Sequence, residues 1–344
     1  MIEIDGSFGE GGGQILRTAL SLSCLFQKPF RISNIRKGRK KPGLMPQHLT
    51  GVKAAQLLTR AEVQGDHAGS IELSFSPGKV KGGSFFFDIG TAGSTMLVLQ
   101  TLIPSLIFSG VKTVFTLVGG THVPFSPSFH YVRDVFLPFL KKTGVEITLS
   151  IESYGFYPKG GGRITAELFP AKEVVPLRIA EKGKMLRVKG VSCVGNLPLS
   201  IAERQRNAAL EKLHSHDIDY THHADIEVIK VPSLGQGTFI FLKAESEHSV
   251  AGFTALGERG KRAEAVGEEA ATELIQYLRT DTALDPHLAD QIVLYLSLSK
   301  KQSLFTSSRI TSHLLTNLWV IGLFHEFGYF IEGETEKPGS VRIN

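Results

Sequence analysis

The chain has 344 residues, 42% of them hydrophobic, which is enough to bury a sizeable core and to form two or three domains. A net charge of +5 permits an anionic partner without demanding one. With two cysteines and no uninterrupted apolar run near the ~18 residues of a membrane span, a disulfide framework, a cysteine zinc site and a transmembrane protein are all disfavoured.

In chain order, Ile2 and Ile4 alternate as in a short strand. From Gln14 the apolar residues Ile15, Leu16, Ala19, Leu20, Leu22, Leu25 and Phe26 keep helical spacing. The intervening FGEGGGQ is a strand–glycine–helix junction, able to bring backbone N–H groups to an anion at a helix start. It is neither a P-loop nor the dinucleotide fingerprint, and a plain tight turn competes with the binding reading. Next, NIRKGRKKPGL places Arg36, Lys37, Arg39, Lys40 and Lys41 within six positions. Such a run is a solvated loop or a contact for a phosphate-rich ligand.

A helix is expected near His48–Leu58 and a strand over Ile71–Phe75. FFFDIGTAGSTMLVLQT repeats the strand, glycine turn and helix. KTVFTLVGGTH is a strand, followed by a helix carrying Phe129, Val132, Val135, Phe136 and Phe139. VEITLSI and RITAELF form a hairpin around YGFYPKGGG. The first two blocks are thus alike in structure. Between about Gly183 and Arg279 the order changes, with strands at 186–191, 226–231 and 238–244, a helix at 201–213 and a long helix carrying Ala263 to Tyr277. This segment reads as an insertion. Its paired His222 and His223 lack a spaced third ligand and are not read as a metal site. Helices in LADQIVLYLSL and SHLLTNLWVIGLF and strands in YFIEG and SVRIN would complete a third block. The expected fold is α+β, three similar layers with one inserted domain.

For chemistry, His313 stands at a helix start with Thr311 or Ser312 as cap, where the dipole disfavours protonation. A neutral imidazole there is a competent nucleophile toward phosphorus; a partly buried structural histidine is the competing reading. Glu10 is the natural ligand for a hard cation beside phosphates, or a first-turn acid complementing the dipole. Asp290 and Gln291 are a second polar pair at a helix start, with capping as the alternative. Arg17 clamps a phosphate or is simply solvated. Phe253 and the run Leu256–Arg262 line a nucleotide pocket or form a surface loop.

Together DGSFGEGGGQILR, IRKGRKKPGLMPQHLT, IGTAGSTMLVLQT, GFYPKGGG, HLADQ and SHLLTN, in that order, resemble the RNA 3′-terminal phosphate cyclases nearly end to end. The resemblance implies three βαβαββ units arranged as in enolpyruvyl transferases, with a small thioredoxin-like α/β domain inserted in the third. On this chain the large domain would span 1–182 plus 280–344, in units of roughly 1–84, 85–175 and 176–182 with 280–344; the insert would span 183–279. It further implies ATP-dependent conversion of an RNA 3′-phosphate to a 2′,3′-cyclic phosphodiester, through a histidine–AMP and an RNA-adenylate.

Carried over residue by residue, His313 matches the adenylylated nucleophile and Glu10 the carboxylate that binds Mg²⁺ or Mn²⁺. Gln100, Pro127, Phe253, His287, Leu288, Ala289, Asp290 and Gln291 match the ATP-binding positions. His287 stands where a tyrosine can occur, so base stacking there is expected to differ. Arg17, Arg36, Arg39 and Gln47 match polar residues around the phosphates and the RNA end. Two other classes stay open: a non-catalytic, ribosomal RNA-processing relative lacking the nucleophile, against which His313 and Glu10 argue, and an enolpyruvyl-type transferase. The chain opens without a basic region followed by an apolar one, so a reducing cytoplasm is the expected setting.

Overall fold

The computed structural model describes residues 1–216 and 224–344, so His222 and His223 lie outside the described residues. Strand β1 (Ile2–Asp5) leads through the glycine loop into α1 (Gly13–Phe26), which returns the chain to β2 (Phe30–Ser33), parallel to β1. Helix α2 (Pro46–Thr59), β3 (Glu62–Gln64) and β4 (Leu73–Ser76) follow, and the sheet order is β1-β2-β4-β3. Pro46 opens α2 where its missing N–H has no intrahelical partner to lose.

The next segment runs β5 (Ser84–Asp88), α3 (Thr95–Leu106) and β6 (Thr113–Gly119). Then come α4 (Phe129–Tyr131), a π-helical turn at Val132–Phe136 and α5 (Leu137–Lys142), where one continuous helix was expected. Strands β7 (Glu146–Ser153) and β8 (Gly162–Phe169) pair antiparallel and complete the order β5-β6-β8-β7. Both strands alternate in burial, as a sheet with one face on a core requires.

After β9 (Arg178–Ile179) the chain builds β10 (Met185–Gly195), α6 (Leu199–His214), β11 (Asp225–Lys230), β12 (Gly237–Ser246), β13 (Val250–Leu256) and α7 (Ala263–Leu278). These strands form their own sheet, β11-β10-β12-β13. One face carries Val188, Ile240 and Leu242 against Leu213, Val266 and Leu274 of the helices. The other presents Cys193, Phe239 and Phe241 to the main core. Helix α8 (Pro286–Leu296), β14 (Ser303–Ser307), α9 (Ser312–Phe324), β15 (Tyr329–Glu332) and β16 (Gly339–Ile343) close the chain, in the sheet order β15-β16-β14-β9.

The architecture is therefore mixed α+β. In all four sheets one parallel pair is followed by two antiparallel ones, but in β1-β2-β4-β3, β5-β6-β8-β7 and β9-β14-β16-β15 the chain fills the positions in one order, and in β11-β10-β12-β13 in another. Helices α1, α3, α8 and α9 share the main core through Leu16, Leu20, Ile103, Ile292, Leu318 and Ile321. Phe30 of β2 packs against Phe75 of β4 at 5.9 Å and edge-on against Phe324 of α9 at 6.1 Å. That aromatic cluster seats α9 on the first sheet, which brings the start of α9 to the loop after β1. Among the described residues no helix is long and apolar enough to cross a membrane.

Candidate active site

The loop after β1 is shaped by close approaches that a side chain would block. Gly9 has φ +55°, and a Cβ there would overlap the hydroxyl of Thr316 on α9. Glu10 donates its backbone N–H to that same hydroxyl at 3.2 Å, so the loop rests directly on α9. At Gly13 a Cβ would collide with His48 and crowd Arg17, which places both side chains beside the start of α1.

The Glu10 carboxylate accepts the Gly12 N–H at 2.8 Å and forms an ion pair with Arg39. It is 13% exposed, and 3.9 Å from its Oε2 stands Nδ1 of His313. Thr311 caps α9, accepting the Leu314 N–H at 3.0 Å, and this fixes His313 in the first turn. Its side chain is 46% exposed, yet Nδ1 is buried and has no hydrogen-bond partner. Burial first, then the neighbouring Arg17, His287 and Arg39, push the His313 imidazole below the usual histidine value, against the opposing pull of Glu336. The ring is therefore neutral at neutral pH and partly open to solvent.

Cations surround it. Burial lowers Arg17 to about 10, so it stays charged, and Asp290 opposes that shift. Burial, helped by Arg17 and Arg36, holds His48 neutral, at about 3. Arg36 adopts a left-handed backbone and spends Nη1 on the carbonyls of Lys41 and Gly43, 2.8 Å each, closing the basic loop. Lys37, Arg39, Lys40 and Lys41 are left exposed on that loop. Gln47 accepts the Ser94 N–H at 3.0 Å, tying α2 to the turn that starts α3.

A second group of residues gathers around α8. Gln100 of α3 donates to Gln291 at 2.6 Å. Asp290 is 7% exposed, and burial together with Asp285 raises its carboxyl well above the ordinary range. Leu288 and Ala289 are sealed in the core, so their side chains pack α8 and are closed to a ligand. His287 is exposed and meets Tyr131 edge-on at 6.2 Å. It lines a cavity of about 270 Å³ together with Phe253, Glu273 and Arg309. Phe253 is 4% exposed and lies tilted on Tyr277, ring centroids 5.9 Å apart. A separate cavity of about 290 Å³ lies on the other side of β13, lined by Thr254, Ser126, Ser128 and Lys261. Pro127 stands in the chain between Ser126 and Ser128 of that second cavity, away from the one that His287 lines.

Residues outside the sequence reading complete the scaffold. Asp285 caps α8, accepting from His287 and Leu288 N–H and from the Tyr131 hydroxyl at 2.8 Å. The Asp-Pro pair before an apolar run was its legible signal. Thr316 and Asn317 stand within SHLLTN, but their contacts left no sign there, because each meets a partner hundreds of residues away.

Glu10 also answers whether a cation fits. Among the described residues no group of three or more His, Cys, Asp or Glu is placed to hold a metal. One carboxylate with the rest supplied by phosphates and water is, however, a usual mode for Mg²⁺, and Arg39 shows that this carboxylate accepts a positive partner.

A family model for RNA 3′-terminal phosphate cyclase matches residues 8–331. The chain is 45% identical to the RNA 3′-terminal phosphate cyclase of Pyrobaculum aerophilum, over 99% of this chain and 97% of that one. It is 47% identical to the protein of that name from Sulfolobus acidocaldarius (97% and 98% covered) and 44% identical to that of Thermococcus kodakarensis (99% and 98%). With the match running through the glycine loop, the basic loop and the histidine helix alike, this chain belongs to the RNA 3′-terminal phosphate cyclase family.

Proposed function

We propose that the protein uses ATP to convert an RNA 3′-terminal phosphate into a 2′,3′-cyclic phosphodiester, with His313 as the covalent carrier of AMP. The observation that carries this reading is the neutral, half-open imidazole at the start of α9, whose unpartnered Nδ1 faces Glu10. A proton on Nδ1 leaves the Nε2 lone pair free. Nε2 attacks the α-phosphorus of ATP, an N–P bond forms, and pyrophosphate departs with the electrons of the broken P–O bond. The RNA 3′-phosphate then takes AMP from the histidine. Finally the vicinal 2′-OH attacks the terminal phosphorus, loses its proton and expels AMP, aided by its proximity.

Arg17, Arg36, Arg39 and Gln47 serve the phosphates and the RNA end in this reading. Gln100, Pro127, Phe253, His287, Asp290 and Gln291 serve the nucleotide, with Leu288 and Ala289 contributing through the backbone of their segment. Glu10 would hold Mg²⁺ or Mn²⁺, which supplies charge neutralisation at the phosphates. The three sheets of one order and polarity support three βαβαββ units in 1–182 plus 280–344, and the separate sheet with α6 and α7 supports an inserted thioredoxin-like domain at 183–279. Two free, buried thiols, Cys24 and Cys193, accord with a cytoplasmic setting.

The test is incubation with ATP, Mg²⁺ and a 3′-phosphorylated oligonucleotide. Formation of a cyclic end by the wild type, and none by His313→Ala, is expected. A folded protein that binds RNA without cyclising it would assign the chain to the non-catalytic class.

A further inference from the structure

The loop that carries Glu10 also carries an aromatic ring that its own fold does not need. Phe8 donates its N–H to Asp5 at 3.2 Å and accepts from Gly11 at 2.9 Å, while Glu10 anchors on Thr316, so backbone bonds set the turn. The Phe8 ring is 45% exposed. It stacks on Trp319 of α9, centroids 4.0 Å apart and planes 23° apart, and close to half of the residue is left to solvent. Trp319, the one tryptophan of the chain, lies about 9 Å along the helix axis from His313. The exposed cations of the basic loop reach the same region, since Arg39 pairs with Glu10, two residues from Phe8.

A flat aromatic face beside cations and next to a phosphoryl-transfer site is how proteins hold an unpaired nucleobase. We propose that Phe8, backed by Trp319, is a stacking step for a nucleobase at the 3′ end of the RNA, with Lys37, Lys40 and Lys41 along its phosphates. This rests on the reading of the chain as an RNA 3′-phosphate cyclase. It adds to it a subsite that selects a single-stranded end, because a base held in a duplex has no free face to offer.

The sole tryptophan makes the test direct. The probe is a short, single-stranded oligonucleotide ending in a 3′-phosphate with a 2′-deoxy terminal sugar, which cannot cyclise, titrated without ATP. Saturable quenching of Trp319 emission is expected in the wild type, as the added base extends the stack. Phe8→Leu keeps an apolar anchor but no aromatic face. It is expected to raise the dissociation constant for the probe, and KM for a cyclisable RNA, about tenfold. Its rate of labelling by ATP alone should match the wild type, and Phe8→Tyr should restore RNA binding.

Unchanged RNA affinity in Phe8→Leu would overturn the proposal. So would loss of ATP labelling together with RNA binding, which would make the ring a loop anchor only. If the wild type takes no label from ATP but the probe still quenches Trp319, the stacking step stands and the cyclase reading falls.

Discussion

His313 is tuned by neighbours that chain order keeps far apart. Burial and the cations Arg17 and Arg39 favour the neutral ring, so the acid limb of the labelling rate is expected below pH 6.5. Arg39→Gln removes one cation and should move that limb upward; an acid limb at or above 6.5 in the wild type would contradict the account. Glu10→Gln keeps the shape of the loop and removes the charge. It should raise the Mg²⁺ needed for half-maximal labelling by at least ~10-fold, the loss that follows removal of even a supporting metal partner.

At this scale the loop and the helix start that carry Glu10 and His313 were legible in the sequence, through a run of glycines with one acid and a histidine behind a threonine cap. Their pairings were not. That Gln100 meets Gln291, that Arg36 is spent closing its own loop, and that Leu288 and Ala289 face the core are consequences of tertiary packing, which residue spacing does not encode.

Among the elements, three helix starts converge, and one buried side chain joins them. Asn317 of α9 accepts from the Thr18 hydroxyl of α1 at 2.7 Å and donates to the carbonyl of Asp290 in α8 at 2.6 Å. Asn317→Leu leaves the buried Thr18 hydroxyl without this acceptor and removes the second bond to the Asp290 carbonyl, at a cost of about 1–3 kcal/mol. Urea unfolding is expected to read that loss, and the labelling rate should fall with it because Asp290 and His313 ride on the joined helices and Glu10 on the loop that leads into α1. Unchanged stability would contradict the assignment. The long amphipathic helices were readable to within a residue or two because their apolar periodicity is strong. Strands β3 and β9, with three and two residues, are too short for any alternation to emerge. The π-turn at Val132–Phe136 keeps an apolar spacing that reads as ordinary helix.

Across the whole molecule, the β10–β13 sheet is joined to the rest through histidines buried without charge. The His122 ring stacks on Phe239 at 3.9 Å, receives or gives a hydrogen bond at Thr121, and meets Nδ1 of His130 at 2.9 Å. Burial pushes His122 far down and His130 to about 3, and His48 is held at about 3 near the site. In the unfolded chain these rings take up protons near pH 6.5, which the folded chain refuses. Stability is therefore fully present above that value and is lost as pH falls toward the folded values, by about 1.4 kcal/mol per pH unit for each ring. Asp285 and Asp290, raised by burial, act in the opposite sense, their contribution being lost as pH rises from the ordinary carboxyl value near 3.8 through their folded values. Comparing the pH dependence of unfolding in the wild type and in a His122→Asn, His130→Gln protein separates the two; the variant should lose about two protons from the acid slope. An unchanged slope would mean that these rings are not held neutral.

The central claim is a covalent one, a nucleotide carried on the ring that opens α9. It is tested most directly by treating the protein with ATP and Mg²⁺, digesting it without acid, and locating the added AMP mass by peptide mass spectrometry. That mass is expected on His313, discharged when a 3′-phosphorylated oligonucleotide is added. AMP on another residue, or none on a protein that still makes cyclic ends, would contradict it.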